Sequence, residues 1–282
     1  QMAQDLLGVV WRPFVGRQRM ALRPLQRVLG CSRLWVHTRA YRQMAEGAAE
    51  VDVVGNLKAV QDRMVAAAAG APLPRLVAVS KTKPVELLQA AYDCGQRYFG
   101  ENYVQELVEK APLMPDDVHW HFIGHLQSNK ANQLVKGCPN LHCMETIDTI
   151  KLANTVNRAW EAAERGRRLR VMVQVNTSGE ESKSGCAPGD AAELASHIAQ
   201  NCPGLEFAGL MTIGMPDYSG CRAEDFLTLK SARDQCAEAV GVDPATLELS
   251  MGMSSDFEAA IQNGSSSVRV GSTIFGARVY NK

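Results

Sequence analysis

Short apolar runs and segments with helical periodicity alternate along most of the chain. The first of these runs, over residues 76–79, is uninterrupted and rich in β-branched residues, which is typical of a parallel strand buried on both faces. Helical periodicity fills the intervals between them, for example over residues 149–160 and 191–198. The runs predicted as strands cover residues 76–80, 98–101, 120–124, 141–147, 171–176, 207–213, 247–251 and 268–275.

This alternation predicts an α/β fold in which a helix, residues 53–69, precedes the first strand. Eight strand and helix units in about 210 residues are typical of a (β/α)8 TIM barrel. An open doubly wound sheet is the alternative, but its first strand usually leads into a glycine-rich turn, and here the turn is Ser80-Lys81-Thr82-Lys83. We predict a single barrel domain over residues 44–282. The last predicted strand ends seven residues before Lys282, so we expect no second domain after the barrel.

Residues 1–43 differ in composition from the rest of the chain. They contain eight arginines, no lysine and a single acid, Asp5. An arginine-rich, acid-poor leader resembles a mitochondrial transit peptide. Alternatively, translation starts at Met44 and the leader is upstream sequence that the native protein lacks. Composition alone leaves both interpretations open.

The remaining residues carry a mildly acidic charge. They hold 22 basic and 29 acidic residues, a net charge of −7, which argues against a nucleic-acid partner. No apolar stretch approaches the roughly 18 residues that span a bilayer, so we expect no membrane insertion. The eight cysteines are scattered without a disulfide framework, which favours a reducing compartment. We expect a cytoplasmic protein, also mitochondrial if the leader is a transit peptide.

Lys81 stands where the first predicted strand ends and a helix begins. In α/β barrels, the carboxyl ends of the strands hold the active site. A lysine amine can act there as a nucleophile when it is neutral, and a neighbouring cation favours the neutral form. Lys83 is either that cation or a solvated lysine in a turn, since lysines are mostly exposed.

A second candidate for a functional segment is a glycine- and serine-rich stretch over residues 263–276. Backbone amides and hydroxyls in such a stretch can surround a phosphate, and the loops after strands seven and eight are the usual phosphate site of a barrel. Alternatively, these small residues only form turns. Together with Lys81, a phosphate site is what a phosphorylated aldehyde would require.

Six sequence blocks carry a resemblance to a known family. In the order of the chain they read AVSKTKP, FGENYVQE, WHFIGHLQ, GLMTIG, LSMGMS and VRVGSTIFG, at residues 78–84, 99–106, 120–127, 209–214, 249–254 and 268–276. They resemble the pyridoxal phosphate homeostasis protein family, formerly called proline synthetase co-transcribed proteins. The resemblance covers residues 53–282.

The resemblance implies a barrel similar to the amino-terminal domain of alanine racemase, with pyridoxal 5′-phosphate as its cofactor. The Schiff-base lysine of the family matches Lys81, and two positions that line the ring match Asn102 and Met211. The positions that contact the phosphate match Ser254, Gly271 and Ser272.

Arg269 matches the arginine that the family places near the pyridine nitrogen. An arginine leaves that nitrogen unprotonated and weakens the ring as an electron sink, whereas a carboxylate would strengthen it. The alternative is that Arg269 only belongs to an ion pair inside the barrel.

The implied function is that of a carrier: the protein holds pyridoxal phosphate as a lysine Schiff base and takes part in its homeostasis and delivery to apo-enzymes, without substantial catalysis. The alternative is an amino-acid racemase, but the racemases take a second base, a tyrosine, from an additional domain. A Schiff-base aldolase shares the lysine and the phosphate but not the six blocks. We expect a monomer or a weak dimer.

Two further features have only weak functional signals. His119, His121 and His125 lack an accompanying cysteine or carboxylate set with zinc spacing, so we expect no metal site and a packing or hydrogen-bonding role for His121 and His125. The loop over residues 176–185 is predicted as a solvated face, with a lid or effector-contacting loop as the alternative.

Overall fold

Eight parallel strands close into a barrel in the computed structural model, which describes residues 51–179, 184–213 and 222–277. Each strand pairs with the next along the chain, and the last pairs with the first. The predicted (β/α)8 barrel is therefore confirmed, and the open sheet is excluded. The strands are β1 Arg75–Val79, β2 Tyr98–Glu101, β3 His119–Phe122, β4 Leu141–Ile147, β5 Leu169–Gln174, β6 Leu205–Met211, β7 Glu248–Ser250 and β8 Ser267–Val270.

The α-helices surround this wall, and an apolar layer fills the space between the two. Wholly buried side chains of that layer include Phe99, Trp120 and Phe122 on the strands and Leu88, Leu107 and Phe226 on the helices. The described helices are α1 Val53–Ala68, α2 Val85–Asp93, α3 Val104–Lys110, α4 Ala131–Gly137, α5 Ile150–Glu161, α6 Ala191–Asn201, α7 Ala223–Val240, α8 Phe257–Gln262 and α9 Ser272–Phe275, with short 3₁₀ turns at Ala111–Leu113, Ser128–Lys130, Pro188–Asp190 and Pro244–Thr246.

The last strand ends earlier than the sequence predicted. We expected β-structure through residue 275, but the strand ends at Val270 and α9 follows at once. The carbonyl of Gly271 accepts the N–H groups of Ile274 and Phe275, at 3.0 and 2.9 Å, which turns the chain into a helix. Because Ile274 and Phe275 are wholly buried, tertiary packing overrides their preference for strands.

Two other strands, β5 and β6, begin and end two residues before the predicted limits. The reason is a charged layer at the amino-terminal end of the barrel, which an apolar pattern does not reveal. Arg170 of β5 donates to Glu206 of β6 at 3.2 Å and to Glu248 of β7 at 2.7 Å, and Arg75 of β1 contacts Glu248 at 2.6 Å. The interior of this end is therefore ionic rather than aliphatic.

Next to that ionic layer, three histidines and a tyrosine pack together, and the guanidinium of Arg75 lies over the Tyr98 ring. The rings of Tyr98 and His119 stack with their centroids 4.7 Å apart, and His142 lies 4.8 Å from His119 and 5.4 Å from His121. Burial lowers the pKa of His142 to about 3, and the positive charges of His121, His119, Arg75 and Arg170 act in the same direction. At neutral pH, His142 is therefore uncharged.

We expect this histidine to make the fold sensitive to acid. The unfolded chain takes up a proton on His142 near its ordinary pKa of 6.5, whereas the folded chain does so only near 3. Stability therefore falls as the pH drops through this window, because the unfolded state binds more protons. Urea unfolding at pH 7.5 and pH 5 should show a smaller pH difference for His142→Phe than for the wild type. A pH difference in His142→Phe as large as that of the wild type would contradict the assignment.

The predicted domain boundary at residues 43 and 44 lies outside the described residues, so the leader stays a prediction. No helix in the described part of the chain is long and apolar enough to cross a membrane. The six cysteines that lie in that part form no disulfide.

Candidate functional site

All seven predicted cofactor residues lie at the carboxyl-terminal end of the barrel. They belong to β6, β7, β8, β1 and β2 or to the loops directly after them, and these five strands are consecutive in the wall. The carboxyl ends of parallel strands meet at one face, which is where TIM barrels place their active sites. The structure therefore assembles one candidate site from Lys81, Asn102, Met211, Ser254, Arg269, Gly271 and Ser272.

Lys81 is half-buried and lies in a tight turn after β1. The carbonyl of Ser80 accepts the N–H of Lys83 at 3.1 Å, which closes the turn. Thr82 takes a φ of 62°, a left-handed conformation that is uncommon for a β-branched residue. Lys83 donates its ammonium to the carbonyl of Ala277 at 2.7 Å, a contact that neither hypothesis for this residue included.

The predicted phosphate residues come together after β7 and β8. The N–H of Gly271 donates to Oγ of Ser254 at 3.2 Å. A Cβ at position 271 would lie 3.1 Å from both Cβ and the carbonyl oxygen of Val79, so any side chain there would crowd β1. Ser272 is exposed and begins α9, so its amide has no partner within the helix.

The two positions predicted to line a ring differ in depth. Asn102 follows β2, and its backbone lies so near Gly124 that a Cβ there would be 2.0 Å from the Asn102 carbonyl oxygen. The Oδ1 atom of Asn102 is buried and has no hydrogen-bond partner among the described residues. Met211 is wholly buried in a small cluster inside the barrel with Cys143, Met172 and Ala208.

Arg269 crosses the barrel interior from β8. It donates to Oγ of Ser250 and to the carbonyl of Thr212, each at 2.6 Å, and lies 3.9 Å from the carboxylate of Glu145. The ion pair that we considered as an alternative is therefore present. The ion pair does not use all the hydrogen-bond donors of Arg269, because a guanidinium has five N–H donors and these contacts involve only two of its nitrogens.

Glu145 is the centre of the buried network beneath Arg269. Its carboxylate accepts hydrogen bonds from Nδ1 of His121 and Oγ of Ser250, each at 2.5 Å. Burial alone would raise the pKa of Glu145. The hydrogen bond from His121, the charges of His121 and Arg269 and the bond from Ser250 outweigh it, and the pKa is lowered. Glu145 is therefore the ionised counterpart of Arg269.

This network modifies the prediction about histidines. His121 is wholly buried and does have a hydrogen-bonding role, while His125 is exposed and lies 3.6 Å from Asp148. The ligand atoms of His121, Cys143 and Glu145 lie within 4.8 Å of one another, a cluster that their spacing in the sequence does not indicate. Burial raises the pKa of Cys143 far above its usual value, so this thiol is protonated and a poor metal ligand. The absence of a metal stays a prediction.

Glu145 and Lys110 were not predicted as residues of the site, and Ser250 stands in the family-like block over residues 249–254 without a predicted contact to Arg269. Glu101 and Glu106 lie in one of the six family-like blocks, but no role was assigned to them. The four-residue spacing of Glu106 and Lys110 on a helix is a local signal that could have revealed their ion pair. The contacts of Glu145 with Ser250 and of Lys110 with Ser80 join residues that are distant in the sequence and leave no such signal. Residues 180–183 of the loop over residues 176–185 lie outside the described residues, so a lid role stays untested.

Comparisons with known proteins agree with this architecture. The profile for the alanine racemase N-terminal domain matches residues 55–279. Two proteins named pyridoxal phosphate homeostasis protein are close in sequence. The one from Bos taurus is 50% identical over 247 residues and the one from Homo sapiens 49% over 248, with each alignment covering 83% of this chain and 90% of the relative.

Solved structures show the same fold. PipY of Synechococcus elongatus without PLP has a TM-score of 0.68 at 31% identity, over 80% of this chain and 100% of PipY. PipY with PLP bound has a TM-score of 0.60 at 33% identity, over 76% and 99%. Alanine racemase from Corynebacterium glutamicum shares the fold, with a TM-score of 0.60 at 16% identity over 80% and 62% of the two chains. The family profile and the relatives at about half identity show that this chain belongs to the pyridoxal phosphate homeostasis protein family.

Proposed function

We propose that this protein binds pyridoxal 5′-phosphate as a Schiff base on Lys81 and takes part in the homeostasis and delivery of the cofactor. The observation that carries the proposal is the convergence of Lys81, the Ser254 and Gly271 pair and Arg269 on one end of the barrel. The buried, unpartnered Oδ1 of Asn102 in the same region supports a polar ligand there. PipY, a structural relative, has been solved with PLP bound.

Pyridoxal phosphate supplies an aldehyde carbon and a phosphate to such a site. Neutral Lys81 would form a bond from Nζ to the aldehyde carbon, and the carbonyl oxygen would leave as water with both amine protons. Ser254, the backbone of Gly271 and Ser272 would hold the phosphate. Because Ser254 is half-buried and Ser272 exposed, the phosphate would lie near the mouth of the barrel, from which a carrier can release its cargo.

Arg269 supports a carrier over a catalyst. Its contacts with Ser250 and with the carbonyl of Thr212 fix the guanidinium inside the barrel, 3.9 Å from the carboxylate of Glu145. A guanidinium beside the pyridine nitrogen disfavours protonation there and weakens the electron sink that most pyridoxal enzymes use. We therefore propose that bound pyridoxal phosphate is stored with little turnover.

The proposal extends to partners and place. Apo-enzymes that need pyridoxal phosphate are the proposed recipients, and the protein would act as a monomer or weak dimer. We place it in the cytoplasm, and also in mitochondria if residues 1–43 are a transit peptide. Amino-terminal sequencing of the native protein tests the last point.

Reconstitution of the purified full chain with pyridoxal phosphate tests the binding proposal. We expect a yellow imine absorbance at a stoichiometry of one, and borohydride should fix a pyridoxyl group on the peptide that contains Lys81. Covalent label on other lysines alone, or absorbance that only reflects unbound cofactor, would contradict the proposal.

Incubation of the loaded protein with single enantiomers of amino acids tests the non-catalytic part. We expect the enantiomeric purity of alanine, serine and other substrates to remain unchanged on the timescale in which an alanine racemase reaches equilibrium. Rapid interconversion would instead establish the racemase alternative.

A further inference from the structure

A buried ion cluster lies behind the turn that carries Lys81, on the helix side of the barrel wall. Lys110, at the end of α3, is only 8% exposed. Its ammonium donates to Glu101 and Glu106, each at 2.8 Å, and to the carbonyl of Ser80 at 3.0 Å. An ammonium has three donors, and these three acceptors match them.

This cluster fixes both residues that flank Lys81. Ser80 is held twice, because its carbonyl accepts from Lys110 and its Oγ donates to Glu101 at 2.7 Å. On the other side, the N–H of Thr82 donates to Glu106 at 2.7 Å. Lys81 is therefore the central residue of a turn whose two neighbours are attached to one ammonium and its carboxylates.

The cluster is costly in terms of folding. A lysine is rarely buried, and burial raises the pKa of Glu101 despite the bonds from Lys110 and Ser80. The left-handed Thr82 adds backbone strain of the kind that collects at functional sites. Apolar residues often replace buried ion pairs without loss of stability. This cluster directs its hydrogen bonds to one turn, so a role in placing Lys81 explains it more directly than a role in stability.

We propose that Lys110 is a positioning residue for Lys81. Its ammonium, with Glu101 and Glu106, holds the turn over residues 80–82 so that the amine of Lys81 meets the aldehyde carbon of pyridoxal phosphate. This inference rests on the proposed function, since it concerns the same lysine. Lys110 itself contacts the turn and takes no part in bond formation.

Two variants of opposite charge test the proposal: Lys110→Met and Glu106→Ala in the full chain. Stopped-flow absorbance gives the rate constant of imine formation with pyridoxal phosphate from pH 6 to pH 9. We expect both variants to lower the plateau of this pH profile by about tenfold, because misplacement of a reacting group slows bond formation. A change in local charge alone would move the midpoint of the profile in opposite directions in the two variants and leave the plateau intact.

Matched controls separate positioning from stability. Lys58→Met removes an exposed lysine that pairs with Asp62, and Glu109→Ala makes the same change as Glu106→Ala one turn along α3. Both controls should keep the wild-type rate. Rates are compared per folded molecule, from urea unfolding of each apo-protein. Unchanged plateaus in Lys110→Met and Glu106→Ala, or opposite changes, would overturn the inference.

Two other outcomes are also decisive. If Lys110→Met does not fold, Glu106→Ala decides alone, because Glu106 lies at the partly exposed edge of the cluster. If the wild type and the controls form no imine, the proposed function fails and this inference with it. A wild-type imine with unaffected variants rejects the inference alone.

Discussion

Replacement of Lys81 by alanine should abolish the imine absorbance and the borohydride-stable label. Lys81 follows β1, and β1 is the neighbour of β8, whose carboxyl end leads into Gly271. Without its amine, pyridoxal phosphate can bind only through non-covalent contacts, and gel filtration should remove it. Absorbance spectra and the mass of the borohydride-treated protein measure the loss.

The neighbouring lysine provides a matched control for this change. Lys83→Ala removes the same side chain two residues away, including its bond to the Ala277 carbonyl, and the imine should form with wild-type stoichiometry. Both variants should unfold within about 0.5 kcal/mol of the wild type, since neither side chain is a core residue. An unchanged imine in Lys81→Ala, or its loss in Lys83→Ala, would assign the Schiff base to another residue.

The position of Lys81 could be predicted because it depends on local pattern and on one topological rule. Apolar runs mark the strands, and closure of a (β/α)8 barrel brings the first strand beside the last. The neighbourhood of Lys81 and Gly271 follows from these two facts. The conformation of the turn could not be predicted, since nothing in the sequence SKTK requires Thr82 to adopt a left-handed conformation.

The polar interior could not be predicted, because its pairs join residues that are far apart in the chain. Glu145 and Ser250 are 105 positions apart, and Lys110 reaches back 30 positions to Ser80. Each of these residues alone is an ordinary polar side chain. Only the barrel register decides which of them share a layer, and a shift of one residue would turn each to the other face. For the same reason, the predicted limits of β5 and β6 lie two residues beyond the observed ones.

This interior also determines where the largest loss of stability should occur. Glu145 is wholly buried, ionised and bonded to His121 and Ser250, and it offsets the buried charge of Arg269. Removal of one partner from a buried pair leaves the other uncompensated, at a cost of about 3 to 5 kcal/mol. We therefore expect Glu145→Gln to lower the free energy of unfolding of the apo-protein by about 3 kcal/mol, measured by urea denaturation and circular dichroism.

Two comparisons show whether the loss of stability comes from the uncompensated charge of Arg269. Glu258→Gln makes the same change in a half-exposed pair with Arg63 and should cost less than about 1 kcal/mol. Addition of Arg269→Met to Glu145→Gln removes the uncompensated guanidinium, so the double variant should be more stable than the sum of the single effects predicts. Strict additivity would mean that the contribution of Glu145 to stability does not depend on Arg269. Coupling would establish that Glu145 and Arg269, the residue proposed to face the pyridine nitrogen, stabilise the fold as one unit, either directly or through Ser250.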